Sequence, residues 1–517
     1  MQTHRKLVGT FIAIVGLFVT EVLLLSSCTS FHPYRIQDAS VAVPCNSDLK
    51  GHVANSKCTS AAWESDPDYD LFFAEFDDQG LVHPAAESAV GFASQQIAGI
   101  DEALRTHFKD DYINLIVYVH GWKHDARSED SDVQKFRQLL HSAKVLEDAK
   151  NPTPADGELR YRRVVGIFVG WRGLSTTLEP FKELSFWGRK ETSSRVAGGS
   201  ARELFSRLRA YQQMRNSEWD KQWTQTPGKI DQMDPSRNGY GRPPVQMLIL
   251  GHSFGAQLVF SAIAENLIES LSSNLSDPGA RIQRYGDMII LINPAFEATR
   301  YMPLLRVAMN RKYDHYQAPL LVTITTTSDQ ATKVLFPLGR WFDSVFEHYS
   351  SPAEHSVALH TIGHLDDYIT HVLELSSAVE AEAVCAGWKE PGIGMGARDI
   401  LANDVTLEQQ ATDNFFNQYQ QLVGGTEMTV LPQSWTRTFC GGTRLRFTGA
   451  QNPQASDANM PIWNIRTESP IIVGHNDFET EYLATFVRQL RSDSVDYYAE
   501  VDPQQLSAQS ATEPPSR

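Results

Sequence analysis

The chain is short of basic charge: among 517 residues, Asp and Glu number 62 against 46 Lys and Arg, a formal charge of −16. A nucleic-acid partner needs a basic face, so that class is argued against from the outset. Cysteine is scarce, five in all, and no close Cys-x-x-Cys pair exists to hold zinc. A phosphate loop is missing too: Gly392-Ile393-Gly394-Met395-Gly396 has no strand before it and no Lys-Ser/Thr after it. His120 and His124 stand four apart, yet no Glu lies between them and the local pattern is not helical, so nothing marks them as a metal pair. There is no internal repeat, and no motif calls for a metal or organic cofactor. What remains is a long chain, 42% hydrophobic, able to bury a large core within one α/β domain carrying insertions.

At the start, His4, Arg5 and Lys6 precede an apolar stretch over 7–25 that is interrupted only by Glu21 and by small or hydroxylated residues. It ends in Leu25-Ser26-Ser27-Cys28, which resembles a bacterial lipobox. The resemblance implies a signal peptide over 1–27, Cys28 as the site of lipid attachment, and a membrane-anchored lipoprotein of the cell envelope. An ordinary cleaved signal and an uncleaved span of about 19 residues are the alternatives. Glu21 disfavours the span, because a carboxylate near the hydrocarbon edge is costly. Export places the remaining cysteines in an oxidising compartment. Cys45, Cys58, Cys385 and Cys440 allow three pairings, and nearest neighbours are expected: Cys45 with Cys58, Cys385 with Cys440. Residues 28–65, rich in Ser, Asp and Asn, read as a tether, and the polar residues 493–517 as a disordered tail.

Between these, over 66–492, apolar runs alternate with helical patterns. Residues 69–82 (YDLFFAEFDDQGLV) read as a hairpin, 113–119 (INLIVYV) and 163–170 (RVVGIFVG) as strands buried on both faces, with helices predicted over 85–107, 131–148 and 175–217. Further strands are predicted at 287–292 (DMIILI), 319–327 (PLLVTITTT) and 461–466 (PIWNIR). An insertion of about 335–459 contains both distal cysteines and is of the kind from which lids are built.

The pattern centres on residues 246–257, QMLILGHSFGAQ. An apolar run is cut by Gly251-His252-Ser253-Phe254-Gly255, and Val259, Ile263, Leu267 and Leu271 then recur at helical spacing. Strand, tight turn, helix around Gly-x-Ser-x-Gly is a nucleophile elbow: the turn exposes the serine hydroxyl, and the helix N-terminus supplies N–H groups for a developing oxyanion. Ser253 is the candidate nucleophile. Asp329 ends the second strand after it and is the candidate acid, with Glu297, one strand earlier, as fallback. Two Gly-His pairs compete for the base. His475 follows a strand and precedes a terminal helix, whereas no clear strand precedes His364; His475 is preferred, with His364 beside the site.

With these residues in place the chain resembles the α/β-hydrolase superfamily, bacterial serine esterases and lipases in particular, over roughly 69–491. The resemblance implies a mostly parallel central sheet with helices on both faces and catalysis by Ser253, His475 and Asp329. It also implies an oxyanion hole made by the backbone N–H groups of Trp122, after the His120-Gly121 pair, and of Phe254. The expected activity is carboxylic ester hydrolysis through an acyl-enzyme, without a cofactor, on an ester that is a lipid, an envelope polymer or a small molecule. The alternative from another class is a hydrolase-fold binding or scaffolding protein without turnover. Arg172, at a strand's carboxyl end, is expected to form a structural ion pair.

Overall fold

The structure, a computed structural model, describes residues 32–82, 95–150, 162–174, 181–225, 243–273, 282, 285–311, 313, 317–344, 346–385, 436–448 and 460–500. The segment read as a signal peptide, with Cys28, and residues 501–517 of the predicted tail lie outside them, as do 386–435 and 449–459 of the insertion.

The described chain is an α/β assembly built on one twelve-stranded sheet. Its strands are β1 (Val43–Pro44), β2 (Trp63–Ser65), β3 (Asp70–Phe76), β4 (Ile113–Val119), β5 (Arg163–Trp171), β6 (Val245–His252), β7 (Met288–Ile292), β8 (Leu321–Thr326), β9 (His371–Leu375), β10 (Thr436–Phe439), β11 (Thr443–Phe447) and β12 (Ile462–Thr467). They lie in the order β1-β2-β3-β5-β4-β6-β7-β8-β12-β9-β11-β10. From β3 through β9 every neighbouring pair is parallel. The helices are α1 (Gln95–Glu102), α2 (Ser131–Lys150), α3 (Phe181–Gly198), α4 (Ser200–Gln225), α5 (Phe254–Ser272), α6 (Ala298–Met309), α7 (Phe336–Asp343), α8 (Pro352–Leu359), α9 (Ala378–Val384) and α10 (Glu481–Glu500).

Side chains alternate across the sheet and bury on both sides, which is why the central strands read as unbroken apolar runs. Ile113, Leu115, Val117 and Val119 of β4 join Met247 and Ile249 of β6 in a core with α1 and α3 to α6. Ile116, Tyr118, Leu248 and Leu250 face the other way, against α2 and α10. The chain leaves β4 through α2 to reach β5 on one side, then returns past β4 to β6 and proceeds through β7 to β8 on the other. The order therefore reverses between β4 and β6, the place beyond whose carboxyl ends doubly wound sheets bind ligands.

Three expectations are revised. The segment predicted as a tether is packed from residue 33 onward: β1 and β2 extend the sheet edge, and Arg35 is 1% exposed. Glu64 accepts from Arg35 at 2.7 Å and from Arg137 at 2.7 Å, a buried three-charge knot that holds this strap to α2. The described part of the insertion is not a separate lid: besides α7, α8 and α9 it supplies β9, β11 and β10, which continue the sheet beyond β12. The terminal helix α10 runs to Glu500, into the stretch read as a tail. The hairpin over 69–82 returns as a single bridge, Phe76 with Val82. Two disulfides join Cys45 to Cys58 and Cys385 to Cys440. Among the described residues no helix is long and apolar enough to cross a membrane.

Candidate active site

Ser253 occupies the turn between β6 and α5 with φ +55° and ψ −119°. A positive φ is strained for a serine and persists only where its surroundings impose it. The two flanking glycines have a direct cause. A Cβ on Gly255 would stand 2.2 Å from the Val119 carbonyl oxygen and 2.5 Å from that of His120. On Gly251 it would stand 2.8 Å from Ala256 Cα. The start of α5 thus lies against the end of β4, and only glycine fits the approach. Gly121 is also close-packed, though less tightly: a Cβ there would lie 2.9 Å from His252 Nδ1 and 3.0 Å from Ser253 Cβ, so the loop after β4 and the serine turn touch.

His475 projects from the loop between β12 and α10. Its Nε2 lies 2.8 Å from Ser253 Oγ and its Nδ1 lies 2.8 Å from Asp329 Oδ2. The carboxylate accepts, so the Nδ1–H donates to it and the Nε2 lone pair faces the serine hydroxyl. Asp329 is fully buried. Burial alone would raise its pKa, but the hydrogen bond and charge of His475, with the Thr332 hydroxyl and N–H, outweigh this and hold it below the usual value. A proton can pass from hydroxyl to imidazole along this row while the carboxylate fixes the tautomer.

The backbone N–H of Phe254 is the first of α5, and that of Trp122 lies in the loop after β4; neither meets an acceptor among the described residues. His120 secures this loop from beneath. Its Nδ1–H donates to the Gly121 carbonyl at 2.9 Å, its Nε2 accepts the Trp171 N–H at 3.0 Å, and burial lowers its pKa. Both its nitrogens are thus engaged within the protein. His124 lies against Asp130 at 3.0 Å and Asp132 at 3.5 Å, not beside His120 in a shared donor set. Burial opposes its charge, but the two carboxylates prevail and raise its pKa, and their contacts tie this loop to the start of α2. Phe186 of α3 packs on Trp122 and on Phe254, ring centroids 5.1 and 4.7 Å away, an aromatic wall beside the serine turn.

Two further residues hold His475, and the sequence reading assigned neither a role. His252 donates its Nε2–H to the His475 carbonyl at 2.8 Å. Burial, then the neighbouring His475, drives its pKa far down and keeps it neutral. Asn293, with φ +44° at the end of β7, donates its amide to the carbonyls of His475 at 3.0 Å and Gly474 at 3.2 Å, while its Oδ1 accepts the Thr326 N–H at 3.1 Å. The signals were faint: His252 is a variable position inside the motif, and Asn293 looks like any strand-terminating Asn-Pro.

The alternatives fall elsewhere. His364 donates its Nε2–H to Thr332 Oγ1 at 2.8 Å, and that hydroxyl donates to Asp329, so His364 reaches the carboxylate through one side chain. Burial lowers its pKa to about 4. Glu297 pairs with Lys190, with Arg340 at 3.2 Å and with Arg300 at 3.4 Å, not with either histidine. Arg172 pairs with Asp78 at 2.9 Å. Comparison with protein-family models, with curated proteins and with solved structures finds no match.

Proposed function

We propose that this chain is a serine hydrolase of the α/β-hydrolase type, similar to bacterial serine esterases and lipases, that cleaves carboxylic esters through an acyl-enzyme. The observation that carries the reading is the hydrogen-bonded row Ser253, His475, Asp329 at the carboxyl ends of β6, β12 and β8, with Ser253 beside the point where the strand order reverses. In this mechanism His475 Nε2 takes the Ser253 proton as Oγ attacks the ester carbonyl. The N–H groups of Phe254 and Trp122 receive the tetrahedral oxyanion, and each such donor is worth roughly 10²- to 10³-fold in rate. His475 then returns the proton to the departing alcohol, and water hydrolyses the acyl-enzyme by the same path in reverse. Asp329 stays ionised throughout and stabilises the imidazolium. The steps require no metal or organic cofactor.

In the same reading Cys28 carries lipid after removal of residues 1–27, so that the enzyme works at the cell envelope on a lipid, polymer or small-molecule ester. A fluorophosphonate probe tests the core of it. Covalent labelling of the wild-type protein, lost in folded Ser253→Ala, is the expected result. Failure of folded wild-type protein to label would leave an envelope-anchored binding or scaffolding protein instead.

A further inference from the structure

The two faces of the central sheet are not covered equally. On the α5 side Met247 and Ile249 of β6 are 0% exposed, whereas Leu248 and Leu250, facing α2 and α10, keep 4 and 9%. On that same side Phe168 of β5 and Ile290 of β7 are again fully enclosed. The thin cover is therefore confined to β4 and β6, where α2, lying over β5, and α10, lying towards β10, leave a gap.

The gap is a chamber of about 440 Å³, within the size range of small-molecule sites. Its floor is apolar, made by Ile116, Leu248, Leu250 and Ile292. Lining residues run along β6 from Gln246 to Gly251, a length of roughly 16 Å at the strand rise. Spread over that length, the volume leaves a cross-section of roughly 30 Å², room for one extended chain rather than a fused ring system.

Polar pairs close its ends. At the amino ends of the strands Asn114 donates to Glu147 at 2.9 Å and accepts from Arg491 at 2.6 Å. At the carboxyl ends Lys135 of α2 pairs with Glu479 at 3.1 Å. Of the charged side chains that line the chamber, Lys135, Arg488 and Arg491 balance Glu147, Glu479 and Glu481, while Asp132 is engaged by the Tyr118 hydroxyl at 2.8 Å and by His124. The lining therefore carries no excess of positive charge to hold an anion, and a cation would meet three guanidinium or ammonium groups. Ser253 is shut off from this space: the buried His252 ring stands between His475 and Phe478, centroids 5.1 and 4.6 Å away, and Phe478 is part of the chamber wall.

We infer that this chamber is a second ligand site, apart from Ser253, and that it takes an uncharged, unbranched aliphatic molecule such as a long-chain alcohol. The inference goes beyond the hydrolase reading and uses none of its chemistry. Burial of the chain against the floor supplies the binding energy, and the polar ends can receive a single hydroxyl.

The test titrates the full-length protein with decanol by calorimetry. One molecule should bind per chain, each methylene between hexanol and decanol should tighten Kd roughly threefold to fourfold, and decanoate and decylammonium should bind at least about tenfold more weakly than decanol. Ala484→Trp, at an exposed position of α10 on the chamber wall, should abolish binding with the urea midpoint kept, and Ala143→Leu on α2 should weaken it. A decanol carrying a photoactivatable diazirine should crosslink to peptides of α2 or α10 in the wild-type protein, a readout that needs no variant. No saturable binding, binding unaltered in both variants, or crosslinks confined to the segments around Ser253 and Trp122 overturn the site. Charged analogues that bind as tightly as decanol overturn the uncharged class.

Discussion

Replacing Asn293 by alanine removes three hydrogen bonds at once: two that hold the carbonyls of residues 474 and 475 and one that satisfies the Thr326 N–H. Asn293 and the Thr326 N–H are fully buried, and the two loop carbonyls are part-buried. At about 1 kcal/mol each, and more for a buried N–H left without an acceptor, the loss is roughly 3–4 kcal/mol of stability. Alanine at φ +44° adds about 1 kcal/mol of strain that asparagine tolerates better. The His475 carbonyl is then held by His252 alone among the described residues, and the Gly474 carbonyl loses its Asn293 donor. A base displaced by a fraction of an ångström from Ser253 should lower kcat roughly 10- to 100-fold while the KM for a small ester hardly moves, because nothing that binds the ester has changed. Asn293→Asp keeps the size and the Thr326 acceptor but sets an anionic oxygen against two carbonyls, so it should be no more stable than the alanine variant. Steady-state kinetics on p-nitrophenyl acetate, with urea unfolding of the same preparations, decide the matter. Wild-type kcat in a destabilised Asn293→Ala would refute a positioning role, and unchanged stability would refute the hydrogen bonds.

Other substitutions separate the two histidines and the carboxylate. His475→Ala should lose at least about 10³-fold in kcat and all fluorophosphonate labelling, whereas His364→Ala, acting only through Thr332, should keep labelling and lose about tenfold or less. Asp329→Asn frees His475 to adopt the wrong tautomer and should cost about 10⁴-fold in kcat. Since the folded-state pKa of Asp329 is depressed, its stabilising effect is present above the unfolded carboxylate value and lost as pH falls through the folded one, so urea midpoints of Asp329→Asn and wild type should converge on acidification. His371 is buried beside Trp463 and Phe447, and its pKa is lowered to about 3 by burial. Its unfolded form takes up a proton below about pH 6.5, so stability falls as pH drops from there towards 3. His371→Phe should be roughly 2–3 kcal/mol more stable than wild type at pH 4.5 and nearly equal at pH 8, measured by urea titration at both.

The central strands and the serine turn were legible because each is written locally. A strand buried on both faces appears as an apolar run, as at 113–119, and a serine turn appears as glycines at fixed spacing. What sequence reasoning missed is written across distance. Arg35 and Arg137 meet at Glu64 over separations of 29 and 73 residues, and no local pattern distinguishes such charges from solvated ones. The edge strands β9 to β11 are only four or five residues long, too short to stand out inside a stretch that looked like a lid. Asn293 and His252 matter through what they do to another residue's main chain, which composition and spacing do not record.

The knot at Glu64 bears on how the chain is handled and how it matures. A shortened body beginning at residue 66 would strip Arg137 of its one ion pair among the described residues and of the Gly51 carbonyl, leaving a buried guanidinium with Ser128 and no counter-charge, at a penalty of about 3–5 kcal/mol. Synthesis faces the same difficulty in time: the leading sixty residues emerge well before α2 does and cannot settle until it follows. Any secreted, anchor-free version should therefore start ahead of Tyr34, and one trimmed further should accumulate as insoluble or protease-sensitive material.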